Sequence, residues 1–232
     1  TIIASPQWKY RNRLQLKSDG KGIGFVSEGT KQIAYIDECL VINEELAQLV
    51  SQIKNSLPNE KFSPGPNHQW CYIDLDDEVK FEEIKVNKRR PFKQGNTQQN
   101  EVMKSWVKEQ FGRLELHHPV IDLFCGSGNF TQVLLEMGFT NVLGVEVQSV
   151  ALEKLKEQYQ EGLRILDLDM NSKGSWSQVA KMQPHAKAIL VDPPREGMEK
   201  RRGLFKYLDN LEYIFYISCE LDTFSRDARD II

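Results

Sequence analysis

The sequence predicts an α/β protein: an open, parallel, doubly wound sheet in its carboxyl-terminal part, preceded by a small α+β unit. Three observations carry this. Residues 120–130 read as an apolar strand, a tight Gly126-Ser127-Gly128 loop and the start of a helix that spaces Phe130, Val133, Leu134 and Met137 along one side. A second apolar strand, residues 141–147, follows and carries Glu146 at its carboxyl end, about 20 residues after the loop. Further apolar runs at 163–169, 188–191 and 213–219 alternate with helical patterns, whereas the region before residue 92 alternates polar and apolar residues between turn signals.

Taken in order, residues 9–17 alternate polar with apolar and lead through Asp19-Gly20-Lys21-Gly22 into Ile23–Val26, which predicts a hairpin with Arg11 and Arg13 on a basic face. Residues 33–36 continue that sheet, and a helix begins near Asn43 with Ala47, Val50, Ile53 and Leu57 along one side. Residues 63–67 form a loop, and a second hairpin is expected from strands at 69–75 and 79–86 around Asp76-Asp77. Lys88-Arg89-Arg90 then precedes Pro91-Phe92, where the domain boundary is expected: residues 1–91 form the first domain and 92–232 the second. Val102, Trp106, Val107 and Phe111 mark the next helix, and after the glycine loop come a helix through Ala151, Leu152, Leu155 and Tyr159 and the remaining strands.

With 40% hydrophobic and 27% charged residues, 232 residues suffice for one or two ordinary globular domains. No apolar run reaches the roughly 20 residues of a membrane span and no signal-peptide pattern opens the chain, so a cytoplasmic protein without membrane association is expected. Cys39, Cys71, Cys125 and Cys219 lack C-x-x-C spacing, which argues against zinc, iron-sulfur clusters and disulfides. His117 and His118, as adjacent residues, point in different directions and no third ligand is expected nearby, so no metal is expected. A net charge of −3 means that a nucleic acid must be met by local basic segments, and residues 9–17 and 88–90 supply two.

The strand ends hold the chemistry. Gly126 and Gly128 let backbone approach a ligand, Glu146 can hold two ribose hydroxyls, and Asp167 or Asp169 can accept from an adenine amino group. Nicotinamide dinucleotides and S-adenosylmethionine both use such a site. Dinucleotide loops usually carry a third glycine where this chain has Thr131. Asp192-Pro193-Pro194 is a rigid strand ending that aims Asp192 into the crevice, and the aromatic that often follows Pro-Pro in amino-nitrogen methyltransferases is replaced by Arg195. Cys219 ends the fifth strand on the same edge, where a thiolate could add to an electron-poor ring carbon.

These motifs together resemble the RNA uracil-C5 methyltransferases that make 5-methyluridine in ribosomal and transfer RNA. The resemblance runs in family order through Phe92-x-Gln94-x-Asn96, Asp122-Leu-Phe-Cys-Gly-Ser-Gly-Asn129-Phe-Thr, Gly144-Val-Glu146, Asp192-Pro-Pro-Arg195-x-Gly197, Ser218-Cys219 and Arg226-Asp227. It implies a Rossmann-like class I methyltransferase domain that uses S-adenosyl-L-methionine, with Cys219 as nucleophile and Asp192 in the catalytic set. Gln94, Asp122, Phe124, Gly126, Asn129, Glu146, Asp169 and Asp192 would form the cofactor pocket, with Asp122 near the methionine end. Phe92 would stack on the target base, and Arg11, Arg13, Arg89 and Arg90 would contact RNA. The implied substrate is rRNA ahead of tRNA, and the implied state a monomer.

The chain departs from the family pattern in two places. Glu220-Leu221 replaces the usual Asn-Pro, and a carboxylate facing Cys219 would oppose its ionisation. The sequence also stops at Ile232, before the last strands of the family's sheet and its general-base glutamate, so either a fragment or a base supplied from elsewhere is expected. The alternatives are a module that binds cofactor and RNA without turnover and a methyltransferase acting on another base.

Overall fold

The computed structural model describes residues 2–199 and 204–231. The chain divides into two compact units, Thr1–Met103 and Lys104–Ile232. In the first, β1 (Arg13–Ser18), β2 (Ile23–Val26), β3 (Ile33–Tyr35) and β4 (Cys71–Asp76) form an antiparallel sheet of order β3-β2-β1-β4. β1 alternates as a half-buried strand must: Leu14 and Leu16 face the core while Gln15 is exposed. Its turn is built by Asp19, whose Oδ1 accepts from the N–H groups of Lys21 and Gly22.

Helix α1 (Glu44–Ser56) starts where Asn43 accepts from the Leu46 N–H, carries Glu44 and Glu45 in its first turn and Lys54 in its last. Its buried side is Leu46, Leu49, Val50 and Ile53, packed with Leu14, Leu16, Phe62, Ile73 and Leu75. Each such side chain contributes about 1.5–3 kcal/mol by burial. Of the expected stripe, Val50 and Ile53 are buried; Ala47 is exposed, Leu57 is the helix's C-cap, and Leu46 and Leu49 complete the buried side instead.

The expected second hairpin does not form. Residues 79–86 contain one 3-10 turn, Phe81–Glu83, and β4 takes β1 as its antiparallel partner. Val79 and Ile84 are buried, and Phe81 meets Phe62 edge-to-face, so the apolar residues of this stretch serve the core from a turn.

Helix α2 (Thr97–Phe111) spans the division between the units. Residues 92–103 count with the first unit because Gly95 O accepts from the Asn12 N–H, Asn12 Nδ2 donates to Thr97 Oγ1, and Gln99 Nε2 donates to Ile3 O. The boundary expected at residue 92 thus lies before the division found after Met103.

The second unit holds β5 (Val120–Leu123), β6 (Val142–Glu146), β7 (Leu163–Asp167), β8 (Ala188–Val191) and β9 (Tyr213–Tyr216), all parallel, in the order β7-β6-β5-β8-β9. Every residue of β5, β6 and β8 is buried, as continuous apolar runs require in a sheet covered on both faces. Between the strands lie α3 (Thr131–Glu136), α4 (Ser149–Gln158), α5 (Ser175–Met182) and α6 (Leu204–Tyr207), and α7 (Leu221–Ile231) follows β9. Ile121, Leu123, Leu143, Val145, Ile189 and Val191 form the core with Trp176 and Val179 of α5. The chain leaves β5 toward β6 and β7, then returns to lay β8 on β5's other side. The loops after β5 and β8 therefore diverge, and a crevice opens at their carboxyl ends.

Candidate active site

The loop after β5 is held in an unusual path. Phe124 takes a left-handed conformation (φ 61°), which costs a non-glycine residue about 1–3 kcal/mol and persists only where surroundings enforce it. Here the Cys125 N–H donates to Val145 O and the Gly128 N–H to Cys125 O. Gly126 (φ 55°) faces open space, with nothing within 4 Å of where a Cβ would sit, whereas a Cβ at Gly128 (φ 90°) would lie 2.2 Å from Leu155 Cδ1. The first glycine is open toward a ligand and the second is set by packing on α4.

Glu146 is clamped at the end of β6. Its Oε2 accepts from the Gly126 N–H (3.0 Å), and its Oε1 from the N–H groups of Val147 (2.9 Å) and Gln148 (3.0 Å). Its position at the crevice is thereby fixed relative to the glycine loop. Past β7, Asp169 is exposed and accepts from the Asn171 N–H, while Asp167 is level with Glu146 across the β6–β7 pair.

Asp122 is 1% exposed. Its Oδ2 accepts from the Thr131 hydroxyl at 2.5 Å, and its Oδ1 is buried without a partner. Burial pushes its carboxyl up to about 7; the Thr131 hydroxyl opposes this and the charge of Asp192 adds to it. Burial likewise pushes Asp192, just past β8, up to about 6. Two acids with raised proton affinity at neighbouring strand ends, one with an orphan oxygen, mark this edge of the sheet as favouring donors or positive charge. Thr131 is the participant not legible in the sequence: it occupies the place of the absent third glycine, and its hydroxyl lies nine residues from Asp122 in the chain but adjacent to it in the fold.

Two cysteines lie near this edge and differ sharply. Cys125 is buried, and burial together with Asp122 and Glu146 pushes its thiol well up, which leaves it inert. Cys219 is exposed, the only exposed cysteine of the four. The Ile217 N–H donates to Val191 O, so the sheet's hydrogen bonding runs past β9 to within two residues of it. The bend is closed by Ser218, whose hydroxyl donates to Glu220 O and accepts from the Glu220 N–H. Asn129, half-buried, completes the loop before α3.

The first unit holds the remaining expected residues. Phe92 is 66% exposed and Gln94 half-buried. Of the four arginines, Arg13 and Arg90 are engaged internally: Arg13 Nη2 donates to Asp74 Oδ2 at 2.8 Å and to Arg90 O at 3.0 Å, and Arg90 Nε pairs with Asp76 Oδ2. Asp74 and Asp76 are both buried. Arg11 is exposed with its Nε on Arg13 O, and Arg89 is exposed beside Lys85 and Lys88 along a small cleft.

The His117-His118 pair does have a third potential ligand. Among the described residues, Glu115, His117 and His118 bring ligand atoms within 4.8 Å of one another, because the turn that carries the His118 N–H to Glu115 O folds Glu115 back. The group precedes β5, on the edge of the sheet opposite the crevice. No helix among the described residues is long and apolar enough to cross a membrane.

The family model described as tRNA (uracil-5-)-methyltransferase matches residues 72–231. An uncharacterized RNA methyltransferase of Nitrosomonas europaea is 38% identical over 219 residues, covering 94% of this chain and 56% of that protein. The tRNA (uracil(54)-C(5))-methyltransferase of Schizosaccharomyces pombe is 28% identical over 97% of this chain and 49% of its own length. The 23S rRNA (uracil(1939)-C(5))-methyltransferase of Photorhabdus laumondii is 27% identical over 100% of this chain and 65% of its own length. The chain thus spans about half the length of the first two of these. The crystal structure of Pyrococcus abyssi tRNA (uracil-54, C5)-methyltransferase, a complex with S-adenosyl-L-homocysteine, shares the fold, with a TM-score of 0.68 at 20% identity over 97% of this chain and 70% of that one.

Proposed function

The chain belongs to the tRNA (uracil-5-)-methyltransferase family, and from that premise we propose that it methylates carbon 5 of a uridine in RNA, using S-adenosylmethionine and a covalent adduct to Cys219. The observation that carries the reading is the one exposed thiol, Cys219, following β9 on the sheet edge that also bears the glycine loop, Glu146 and Asp192. The neighbouring pocket fits the cofactor: Asp122 has a buried oxygen without a partner, Gly126 opens onto free space, and Glu146 is fixed at the distance in sequence that ribose recognition requires. Asp122, Phe124, Gly126, Asn129, Glu146, Asp169 and Asp192 are the residues of the second unit we assign to hold it. When bound, it supplies an electrophilic methyl group.

Uracil C5 is too weak a nucleophile to take a methyl group unaided. The Cys219 thiolate adds to C6, forming a C–S bond and moving the C5–C6 electron pair into an enolate, so that C5 becomes nucleophilic. After methylation a base removes the C5 proton, the double bond re-forms and the thiolate leaves. A uridine outside a stacked helix reaches such a site at lower cost, which favours loop or single-stranded targets. Phe92, exposed on the first unit, is assigned to stack on the base, and the exposed Arg11 and Arg89 to meet phosphates; Arg13 and Arg90 support them from within their ion pairs. Ribosomal RNA is the first substrate to test, and transfer RNA the second.

The test is incubation of the full-length protein with S-adenosylmethionine and RNA containing 5-fluorouridine, where C5 holds fluorine and elimination stops. A stable protein–RNA adduct that disappears in Cys219→Ala is expected. Absence of an adduct from wild type that demonstrably binds cofactor and RNA would reject the mechanism. The second reading, binding without turnover, is favoured by Glu220 beside Cys219; it predicts retained binding with no transfer of labelled methyl to either RNA.

A further inference from the structure

The loop after β8, which carries Asp192, is latched to both flanks of Cys219 through one carboxylate. Asp227, on α7, is fully buried. Its Oδ2 accepts from the Met198 N–H and from the Tyr216 hydroxyl, each at 2.6 Å. Its Oδ1 accepts from Arg226 Nε (2.9 Å) and Nη2 (2.8 Å), and the same Nη2 donates to Glu196 O at 2.6 Å. Between these contacts the chain passes through Gly197 (φ 77°), where a Cβ would lie 2.5 Å from Asp227 Oδ2 and 2.6 Å from Arg226 Nη2, so no side chain fits. The Gly197 N–H donates to Pro194 O and closes the turn.

The consequence lies in the order of these residues along the chain. Tyr216 is the last residue of β9, three before Cys219; Arg226 and Asp227 lie on the helix that begins two residues after it. The segment 196–198 belongs to the loop that starts at Asp192. One anionic group therefore ties the strand entering the Cys219 bend, the helix leaving it and the loop of the neighbouring strand end. Burial alone would raise this carboxyl's proton affinity, but the Met198 N–H, the Tyr216 hydroxyl and Arg226 together hold it below the usual carboxylate range, so the latch stays anionic at neutral pH.

We propose that Asp227, with Arg226 and Tyr216, is a positioning residue that sets where Cys219 stands relative to Asp192. This rests on the reading of Cys219 as the nucleophile. In full-length protein, Asp227→Asn is expected to slow formation of the 5-fluorouridine adduct at saturating RNA and cofactor about 10²-fold, the scale of an ångström-sized misplacement, with both dissociation constants unchanged within about threefold. Tyr216→Phe, which removes one donor and leaves the anion and Arg226 in place, is expected to slow it about tenfold. An unchanged rate in folded Asp227→Asn overturns the proposal, as does a rate loss matched by parallel losses of both affinities, which would mark a merely structural role. If Asp227→Asn does not fold, Tyr216→Phe decides: a slowed adduct with intact affinities supports positioning, and a wild-type rate overturns it. A separate arm needs no turnover. Alkylation of Cys219 by iodoacetamide, followed by peptide mass spectrometry, is expected to change in rate at least about threefold in the folded variant. If wild type forms no adduct, the functional reading falls, and this arm alone upholds the positioning role or, if the rates are equal, overturns it.

Discussion

Replacing Asp122 by Asn tests whether the crevice really holds an acid against its preference. In the folded protein this carboxyl is pushed from its ordinary value of 3.8 up to about 7, first by burial and then by the charge of Asp192, against the opposing hydrogen bond from Thr131. An acid with raised proton affinity in the fold contributes its stability fully below about pH 4 and loses it progressively as pH rises through about 7, because the folded state binds more protons over that window. At 1.36 kcal/mol for each tenfold change in proton affinity, the full loss is about 4 kcal/mol. A neutral side chain escapes it. Asn keeps the shape and an acceptor for the Thr131 hydroxyl, and any cost of its amide group is independent of pH, so the informative quantity is the slope. The stability of Asp122→Asn relative to wild type is expected to rise by roughly 2–3 kcal/mol between pH 5 and pH 8. Urea unfolding followed by tryptophan fluorescence, where Trp176 reports from the core of the second unit, measures this at each pH. A difference that stays flat across the window would mean that Asp122 is ionised at ordinary cost. The inference of a pocket that wants a cation or a donor beside the orphan Oδ1 would then fail.

The glycine loop and the arginines give sharper contrasts. Gly128→Ala, whose Cβ would meet the buried Leu155, is expected to cost roughly 1–3 kcal/mol in urea unfolding. Gly126→Ala has free space, though its left-handed backbone (φ 55°) still strains a side chain, and it is expected to lose S-adenosylmethionine affinity by calorimetry with less loss of stability than Gly128→Ala; the reverse ranking would show that the loop's open side is not the ligand's. In the first unit, Arg13→Ala leaves Asp74, with its side chain 1% exposed, without its ion-pair partner and is expected to cost about 3–5 kcal/mol. Arg89→Ala is expected to leave stability within about 0.5 kcal/mol, weaken RNA binding and reduce the salt slope of that binding by about 1. Salt titrations that do not distinguish Arg89→Ala from wild type would place this arginine off the RNA path.

Much of the molecule could be read from the chain because its signals are local. Continuous apolar runs in β5, β6 and β8 specify strands buried on both faces, and alternation with helices specifies a parallel sheet with its ligand edge at the strand carboxyl ends. Asn43 and its acidic followers announce α1 directly. Local pattern failed at 79–86, where apolar spacing compatible with a strand is taken by a turn: β4 stays the edge strand of its sheet, and Val79 and Ile84 are buried in the core from that turn.

What the chain order could not disclose is which charges are free. Arg11, Arg13, Arg89 and Arg90 look equivalent as letters, yet Arg13 and Arg90 neutralise buried carboxylates 61 and 14 residues away in sequence, and the other two face water. Likewise Cys125 and Cys219 each end near a strand, and only burial separates an inert thiol from an exposed one. The latch on Asp227 was visible as Arg226-Asp227 but not as a link to Met198, Glu196 and Tyr216. Secondary structure follows from the nearest few residues and their periodicity, whereas the state of an ionisable group depends on desolvation and on partners that only the folded chain brings within hydrogen-bonding distance.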